Sequence, residues 1–128
     1  MKRIIVKTDS APEAIGPYSQ AIVVGDIVFS SGQIPINPIT GNIDATDFEG
    51  QVRQVLENLN AVLNEANSNL QNVVKFTVFV TDLNNFQILN HVFKEYFPNN
   101  PPARSAVQVS RLPKDVLVEI DAVAIQEE

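Results

Sequence analysis

Residues 116–125 read VLVEIDAVAI, a segment in which only Glu119 and Asp121 are polar. Successive side chains of a β-strand point to opposite faces, so a strand over these residues is apolar on both faces. A strand of this kind needs a covering layer on each side. The segment therefore predicts a strand of a sheet whose two faces are both covered.

The rest of the chain predicts five more strands and two helices. Apolar, β-branched runs on either side of the Gly25-Asp26 pair predict a hairpin. Apolar residues at three-and-four spacing follow a capping box formed by Thr46 and Glu49, and they predict a long amphipathic helix. The predicted strands are 4–7, 21–24, 27–31, 73–81, 105–110 and 116–125, and the predicted helices are 46–67 and 85–97.

The element order βββαβαββ predicts an α+β fold, an α/β sandwich in which a mixed sheet carries two helices on one face. At 128 residues the chain has the length of one domain, and we expect a single domain over residues 1–128. Two helices leave the second apolar face of the sheet uncovered, which predicts an obligate oligomer. The alternative is that loops fold over that face.

The composition excludes several kinds of site. The chain has no cysteine and one histidine, His91, so it forms no disulfide, thiol nucleophile, cysteine-ligated zinc or multi-histidine metal site. The net charge of −6 and the scattered basic residues argue against nucleic acid or an anionic membrane as a partner. No secretory signal or membrane-spanning segment is visible, so we expect a soluble cytoplasmic protein.

Two charged residues stand where packing alone does not explain them. Arg104 follows Pro101-Pro102-Ala103, a rigid entry to a strand, and its guanidinium matches a carboxylate or phosphate. Glu119 lies inside the apolar 116–125 segment, where a carboxylate needs a partner, a ligand or a raised pKa. The alternatives are a surface or ion-paired Arg104 and a solvent-facing Glu119.

Weaker candidates lie on the second helix and after the hairpin. The second helix is expected to bury an apolar stripe formed by Phe86, Leu89, Phe93, Tyr96 and Phe97. Asn90 falls one turn after Phe86, and its amide suggests either a hydrogen bond into a site or an ordinary structural hydrogen bond. Ser31 and Gly32 end the hairpin with a hydroxyl and a position that permits close backbone approach. His91 points away from the apolar stripe of the helix, so we expect it to be exposed and uninvolved.

Several ordered motifs resemble one known family from end to end. The motifs are IGPYSQ at 15–20, SSGQIP at 30–35, PARS at 102–105, RLPKD at 111–115 and VEI at 118–120. Together they resemble the RidA (YjgF-type) reactive intermediate imine/enamine deaminases. The resemblance implies a chorismate-mutase-like (Rid) fold and a homotrimer with sites between subunits.

The implied activity is that of a 2-iminobutanoate/2-iminopropanoate deaminase. Such enzymes hydrolyse 2-aminocrotonate and 2-aminoacrylate, released by pyridoxal-phosphate-dependent dehydratases, to 2-keto acids and ammonia. The family uses no metal and no organic cofactor. The alternatives are a 2-keto-acid-binding regulatory module, an endoribonuclease-like translation inhibitor, and a structural oligomer with an inactive site.

The resemblance also implies roles for single residues. Arg104 would hold the substrate carboxylate, and Glu119 would position the attacking water and transfer protons. The other implied cleft residues are Tyr18, Ser31, Gly32 and Asn90, together with Ala106. Many family members have cysteine where this chain has Ala106. Where the residue at this position contributes its backbone carbonyl to the site, alanine can replace cysteine.

Overall fold

Six strands form one mixed sheet, and two helices pack on one of its faces. A computed structural model describes all residues from Met1 to Glu128. The strands are β1 (Arg3–Val6), β2 (Ala21–Val24), β3 (Ile27–Ser30), β4 (Val73–Val80), β5 (Ala103–Gln108) and β6 (Val118–Ile125), and the helices are α1 (Phe48–Glu65) and α2 (Phe86–Tyr96). The order across the sheet is β1-β2-β3-β6-β4-β5, with β4 and β5 parallel and every other pair antiparallel. The predicted element order and the α+β class are confirmed.

Local sequence accounts for the β2–β3 hairpin and the start of α1. Gly25 adopts a φ of +63°, a left-handed conformation that the tight turn requires and that glycine tolerates. The predicted capping box is wrong, because the N-cap residue of α1 is Asp47 and not Thr46. The carboxylate of Asp47 accepts a hydrogen bond from the backbone N–H of Gly50 at 3.2 Å, which satisfies one free donor of the first turn.

The main hydrophobic core lies between the sheet and the two helices. Along β4, Phe76, Val78 and Val80 are buried and alternate with side chains directed to the other face. The ring of Phe76 packs edge-on against Phe93 of α2, with centroids 5.4 Å apart. Alternation along β4 and β6 therefore assigns every second residue of these strands to the helix-covered face.

The opposite face of the sheet, here called the open face, has no helix over it. Phe29 and Ile125 remain 46% and 45% exposed there. Loops cover only one end, where a small cluster packs around Phe79. The residues of that cluster are Ile34, Ile36, Leu112 and Val116. The predicted uncovered apolar face is thus present over most of its length, while the oligomer expected from it stays a prediction.

Two differences from the predicted elements bear on the site. Strand β5 begins at Ala103, so Arg104 lies inside the strand and pairs with Phe76 across the ladder. Phe86 was expected on the buried stripe of α2, but it is 42% exposed at the first position of the helix. Neither helix is long and apolar enough to cross a membrane.

Candidate functional site

Arg104 projects from β5 toward α2. One of its Nη atoms donates a hydrogen bond of 2.8 Å to the side-chain oxygen of Asn90. Its guanidinium carbon lies 5.3 Å from the ring centroid of Phe86 and 5.0 Å from that of Phe93. The guanidinium thus rests on two aromatic rings and an amide, a set of contacts that leaves several of its N–H donors unused.

No carboxylate pairs with Arg104. The four ion pairs of the chain involve other residues, and partial burial lowers the pKa of Arg104. An arginine stays protonated at neutral pH despite such a shift. An open concavity of about 480 Å³ borders it and is also lined by Asn90, Phe93 and Pro102. A half-buried cation with free donors beside a concavity can bind a small anion.

Glu119 projects from β6 onto the open face, opposite Phe79 of β4. Burial raises the pKa of its carboxyl group, and the nearby charge of Asp121 raises it further. Asp121 is the next residue of β6 on the same face, and burial raises its pKa as well. Two carboxyl groups of elevated pKa therefore lie side by side, an arrangement suited to holding and transferring a proton.

Gly32 contacts the Glu119 side chain so closely that any larger residue there would displace the carboxyl group. A β-carbon at position 32 would lie 2.9 Å from the carboxyl carbon of Glu119 and would clash with one of its oxygens. The segment is held in place by an antiparallel bridge between Gln33 and Ile120, with N–H···O distances of 2.9 and 3.1 Å. Gly32 therefore permits the position that the Glu119 carboxylate occupies.

A concavity of about 380 Å³ on the open face brings Glu119 and Asp121 together with Tyr18, Ser31 and Gly32. The Ser31 hydroxyl donates a 2.6 Å hydrogen bond to the carbonyl of Ser19, so it anchors the N-terminal loop. The Tyr18 hydroxyl accepts a 3.2 Å hydrogen bond from the backbone N–H of Ile15. The loop that contains Tyr18 is thereby fixed at the edge of the concavity.

The structure divides the predicted site residues into two groups. Arg104 and Ala106 pair with Phe76 and Val78, which are buried under the helices, so both point to the helix-covered face. Glu119 points to the open face. Within one chain the Arg104 group, with Asn90 and Ala106, and the Glu119 group, with Tyr18, Ser31 and Gly32, do not share a cavity.

Sequence reasoning missed some neighbours of these residues. Phe86 and Phe93 flank Arg104, and their spacing of four and three residues around Asn90 was the available signal. Asp121 also lines the concavity beside Glu119, because residues two positions apart in a strand point to the same face of the sheet. His91 is exposed, as expected, and its Nε2 atom lies 3.0 Å from a carboxylate oxygen of Glu95. No group of three or more histidine, cysteine, aspartate or glutamate side chains is placed to hold a metal ion.

Comparison with known proteins gives matches over nearly the whole chain. The sequence model of the family described as "Endoribonuclease L-PSP" matches residues 8–126. A RutC family protein of Pyrococcus horikoshii is 54% identical over 127 residues, which are 99% of this chain and 100% of the relative. The Escherichia coli protein named "Putative reactive intermediate deaminase TdcF" is 49% identical over 129 residues, covering 98% of each chain.

Solved structures give the same result. The crystal structure of E. coli TdcF with bound serine superposes with a TM-score of 0.91 at 47% sequence identity. The similarity covers 97% of this chain and 99% of the TdcF chain. A single sheet with two helices, in this strand order, is therefore common to both proteins.

Proposed function

The chain belongs to the family described as Endoribonuclease L-PSP, together with reactive intermediate deaminases of the RidA type, and we propose that it hydrolyses reactive imines and enamines. This membership confirms the resemblance seen in the sequence motifs. The proposed substrates are 2-iminobutanoate and 2-iminopropanoate, the tautomers of 2-aminocrotonate and 2-aminoacrylate. Pyridoxal-phosphate-dependent dehydratases release them, and a cytoplasmic location agrees with that source.

The observation that supports the proposal most directly is the unpaired, partly buried guanidinium of Arg104. Every proposed substrate carries a carboxylate next to its imine carbon. A guanidinium with free in-plane donors can hold such a carboxylate through two parallel hydrogen bonds. The bound serine of TdcF supports a small-molecule ligand, and serine also carries a carboxylate.

Glu119 supplies the proton transfers in this proposal. Its carboxylate takes a proton from water as the water oxygen bonds to the imine carbon, and it passes this proton to the imine nitrogen, which gives a carbinolamine. The carboxylate then moves the hydroxyl proton of the carbinolamine to the amine nitrogen, the C–N bond breaks as the C=O bond forms, and ammonia leaves with a 2-keto acid as the other product. A raised pKa suits a group that must accept and return a proton near neutral pH.

The reaction needs Arg104 and Glu119 on the same substrate, but they point to opposite faces of the sheet in one chain. We therefore propose that each site forms between two copies of the chain, in a homotrimer. The open face, with Phe29 and Ile125 exposed, supports this assembly because burying it removes apolar surface from water. In such a site Arg104 comes from one copy and Glu119 from the next.

A coupled assay tests the proposal. A threonine dehydratase generates the imine, and release of 2-ketobutyrate is followed with and without the protein. We expect faster release than in buffer, and a loss of about 100-fold or more for Glu119→Gln. Arg111→Ala is the matched control for Arg104→Ala, because Arg111 is exposed and bonded to Asp115. No acceleration over buffer, or full activity of Arg104→Ala, would contradict the proposal.

The family description favours one second candidate, cleavage or binding of RNA. The net charge of −6 opposes it, because binding to phosphates depends on basic residues and weakens steeply with salt. Titration with labelled RNA at two salt concentrations separates the two functions. A regulatory module without turnover would instead bind 2-ketobutyrate and stay inactive in the coupled assay.

A further inference from the structure

One stripe of α2 faces the guanidinium of Arg104. Phe86, Asn90 and Phe93 follow one another at spacings of four and three residues, which places them on the same side of a helix. Each of the three contacts Arg104, through a ring at 5.3 Å, an amide oxygen at 2.8 Å and a second ring at 5.0 Å. Nothing else in the chain pairs with this guanidinium.

The guanidinium lies close to two rings whose residues are two helical turns apart. Residues seven positions apart on a helix are separated by about 10.5 Å along the axis. The guanidinium carbon nevertheless lies within 5.3 Å of both ring centroids, so the two side chains converge on it. Asn90, between the two phenylalanines on the helix, bonds to an Nη atom and so restricts rotation about the side-chain axis.

Phe86 and Phe93 have different surroundings. Phe93 is 8% exposed and packs in the core against Phe76. Phe86 is 42% exposed and is not part of the core cluster. Because Phe86 lies outside the core cluster, its contact with the Arg104 guanidinium is the specific interaction that we assign to it.

We propose that Phe86 and Phe93 are positioning residues that hold the Arg104 guanidinium in one orientation, so that its donors not used by Asn90 face the substrate carboxylate. Most buried arginines are oriented by a carboxylate, which would occupy the same donors. Aromatic rings orient the cation through its charge and leave the donors free. This inference rests on the proposed function, since it assigns Arg104 to carboxylate binding.

Phe86→Leu removes the ring at the exposed position, and Phe86→Tyr restores it. Ile88→Ala is the matched control, because Ile88 is 39% exposed on the same helix and does not contact Arg104. We expect Phe86→Leu to raise KM for the imine and Kd for 2-ketobutyrate by about 3- to 10-fold, with a smaller change in kcat. Phe86→Tyr and Ile88→Ala should stay within about twofold of the original protein.

A double-mutant cycle separates positioning from direct contact with substrate. If Phe86 acts through Arg104, Phe86→Leu has no further effect on ligand affinity once Arg104→Ala is present. If Phe86 touches the ligand itself, its effect persists in that background. A persisting effect, or an unchanged Kd for Phe86→Leu, would overturn the inference.

An NMR measurement tests the contact between Arg104 and the two rings without requiring catalytic activity. The Nε–H resonance of Arg104, identified by its loss in Arg104→Ala, should be shifted by the ring currents of the two phenylalanines. Phe86→Leu should move it toward the position of an ordinary arginine, and an unmoved resonance would count against the contact. If the coupled assay shows no activity but the Arg104 resonance is shifted by the rings, the deaminase proposal is refuted. The positioning of Arg104 by Phe86 and Phe93 is then still supported.

Discussion

Arg104 and Glu119 leave the same sheet in opposite directions, Arg104 beside the buried Phe76 and Glu119 on the open face. Strand β4 lies between their strands, and its ladders fix this relationship. Neither residue can reach the other's concavity within one chain. The proposed reaction uses both residues and therefore requires a site between two copies of the protein.

Mixing two inactive variants should restore activity. In a random one-to-one mixture of Arg104→Ala and Glu119→Gln chains, about one quarter of the intersubunit sites receive both intact residues. We expect assemblies formed by refolding the two variants together to recover about one quarter of the activity of the original protein. Each variant refolded alone is the control. Recovery of no activity would contradict a site formed by Arg104 of one copy and Glu119 of the next.

Gly32→Ala should inactivate the protein without unfolding it. The added methyl group meets the carboxyl group of Glu119, which must move, and a displacement of about 1 Å can reduce the rate about 100-fold. Gly16→Ala is the matched control, because a β-carbon there meets only the Tyr18 ring at an ordinary 3.6 Å. Activity and the thermal unfolding midpoint are measured for both. Normal activity of Gly32→Ala would show that the Glu119 position is not critical.

Asp121→Asn should shift the pH dependence of the reaction. The charge of Asp121 raises the pKa of Glu119, so removing it lowers that pKa. Because Glu119 acts first as a base, activity increases as pH rises through its pKa. The acidic limb of the kcat profile should therefore move to lower pH. A shift to higher pH, or none, would contradict the proposed coupling of the two carboxyl groups.

Glu119→Gln should stabilise the protein at neutral pH while inactivating it. The folded-state pKa of Glu119 is raised, so the folded protein binds this proton more tightly than the unfolded chain does. Stability from this group is then present at low pH and decreases as pH rises from the unfolded pKa, about 4.3, through the folded pKa. Unfolding midpoints of the variant and the original protein should converge at acidic pH and separate at pH 7. A lower midpoint for the variant at pH 7 would reverse the expected sign.

Phe29→Asp should dissociate the assembly. Phe29 lies opposite Val123 near the centre of the open face and is 46% exposed in one chain. A carboxylate there would have to be desolvated in an interface, which costs several kcal/mol. Light scattering after size-exclusion chromatography measures the change, with Ile39→Asp as control at a loop position that is 92% exposed. An unchanged mass would mean that subunits contact each other elsewhere.

The prediction of local structure from the sequence was mostly correct because its signals are local. Gly25-Asp26 indicated the hairpin, and spacing indicated both helices. The exceptions are also local in scale. The sequence predicts Thr46 as the N-cap residue of α1, but the structure has Asp47 there. Both residue types cap helices, so the residue pattern does not distinguish the two positions. The start of β5 was placed two residues late, because the Pro101-Pro102 pair conceals where pairing with β4 begins.

The site could be predicted only in part. Arg104 and Glu119 stood out because charge is rare in apolar segments. Phe86 was assigned to the core by the same apolar pattern that correctly placed Leu89, and only its contact with Arg104 distinguishes it. Hydrophobic periodicity identifies a face of a helix, but not which neighbour that face meets.

The sequence by itself determined the order of strands and helices and the apolar character of both faces of residues 116–125, and it singled out Arg104 and Glu119 as candidates for anion binding and proton transfer. Only the tertiary structure decided that Arg104 and Glu119 occupy opposite faces and that Phe86, Asn90 and Phe93 of α2 contact the guanidinium of Arg104. The physical reason is that alternation along a strand relates a side chain only to its own strand. Which face is covered, and which residues meet, depends on ladders between strands that are distant in the chain.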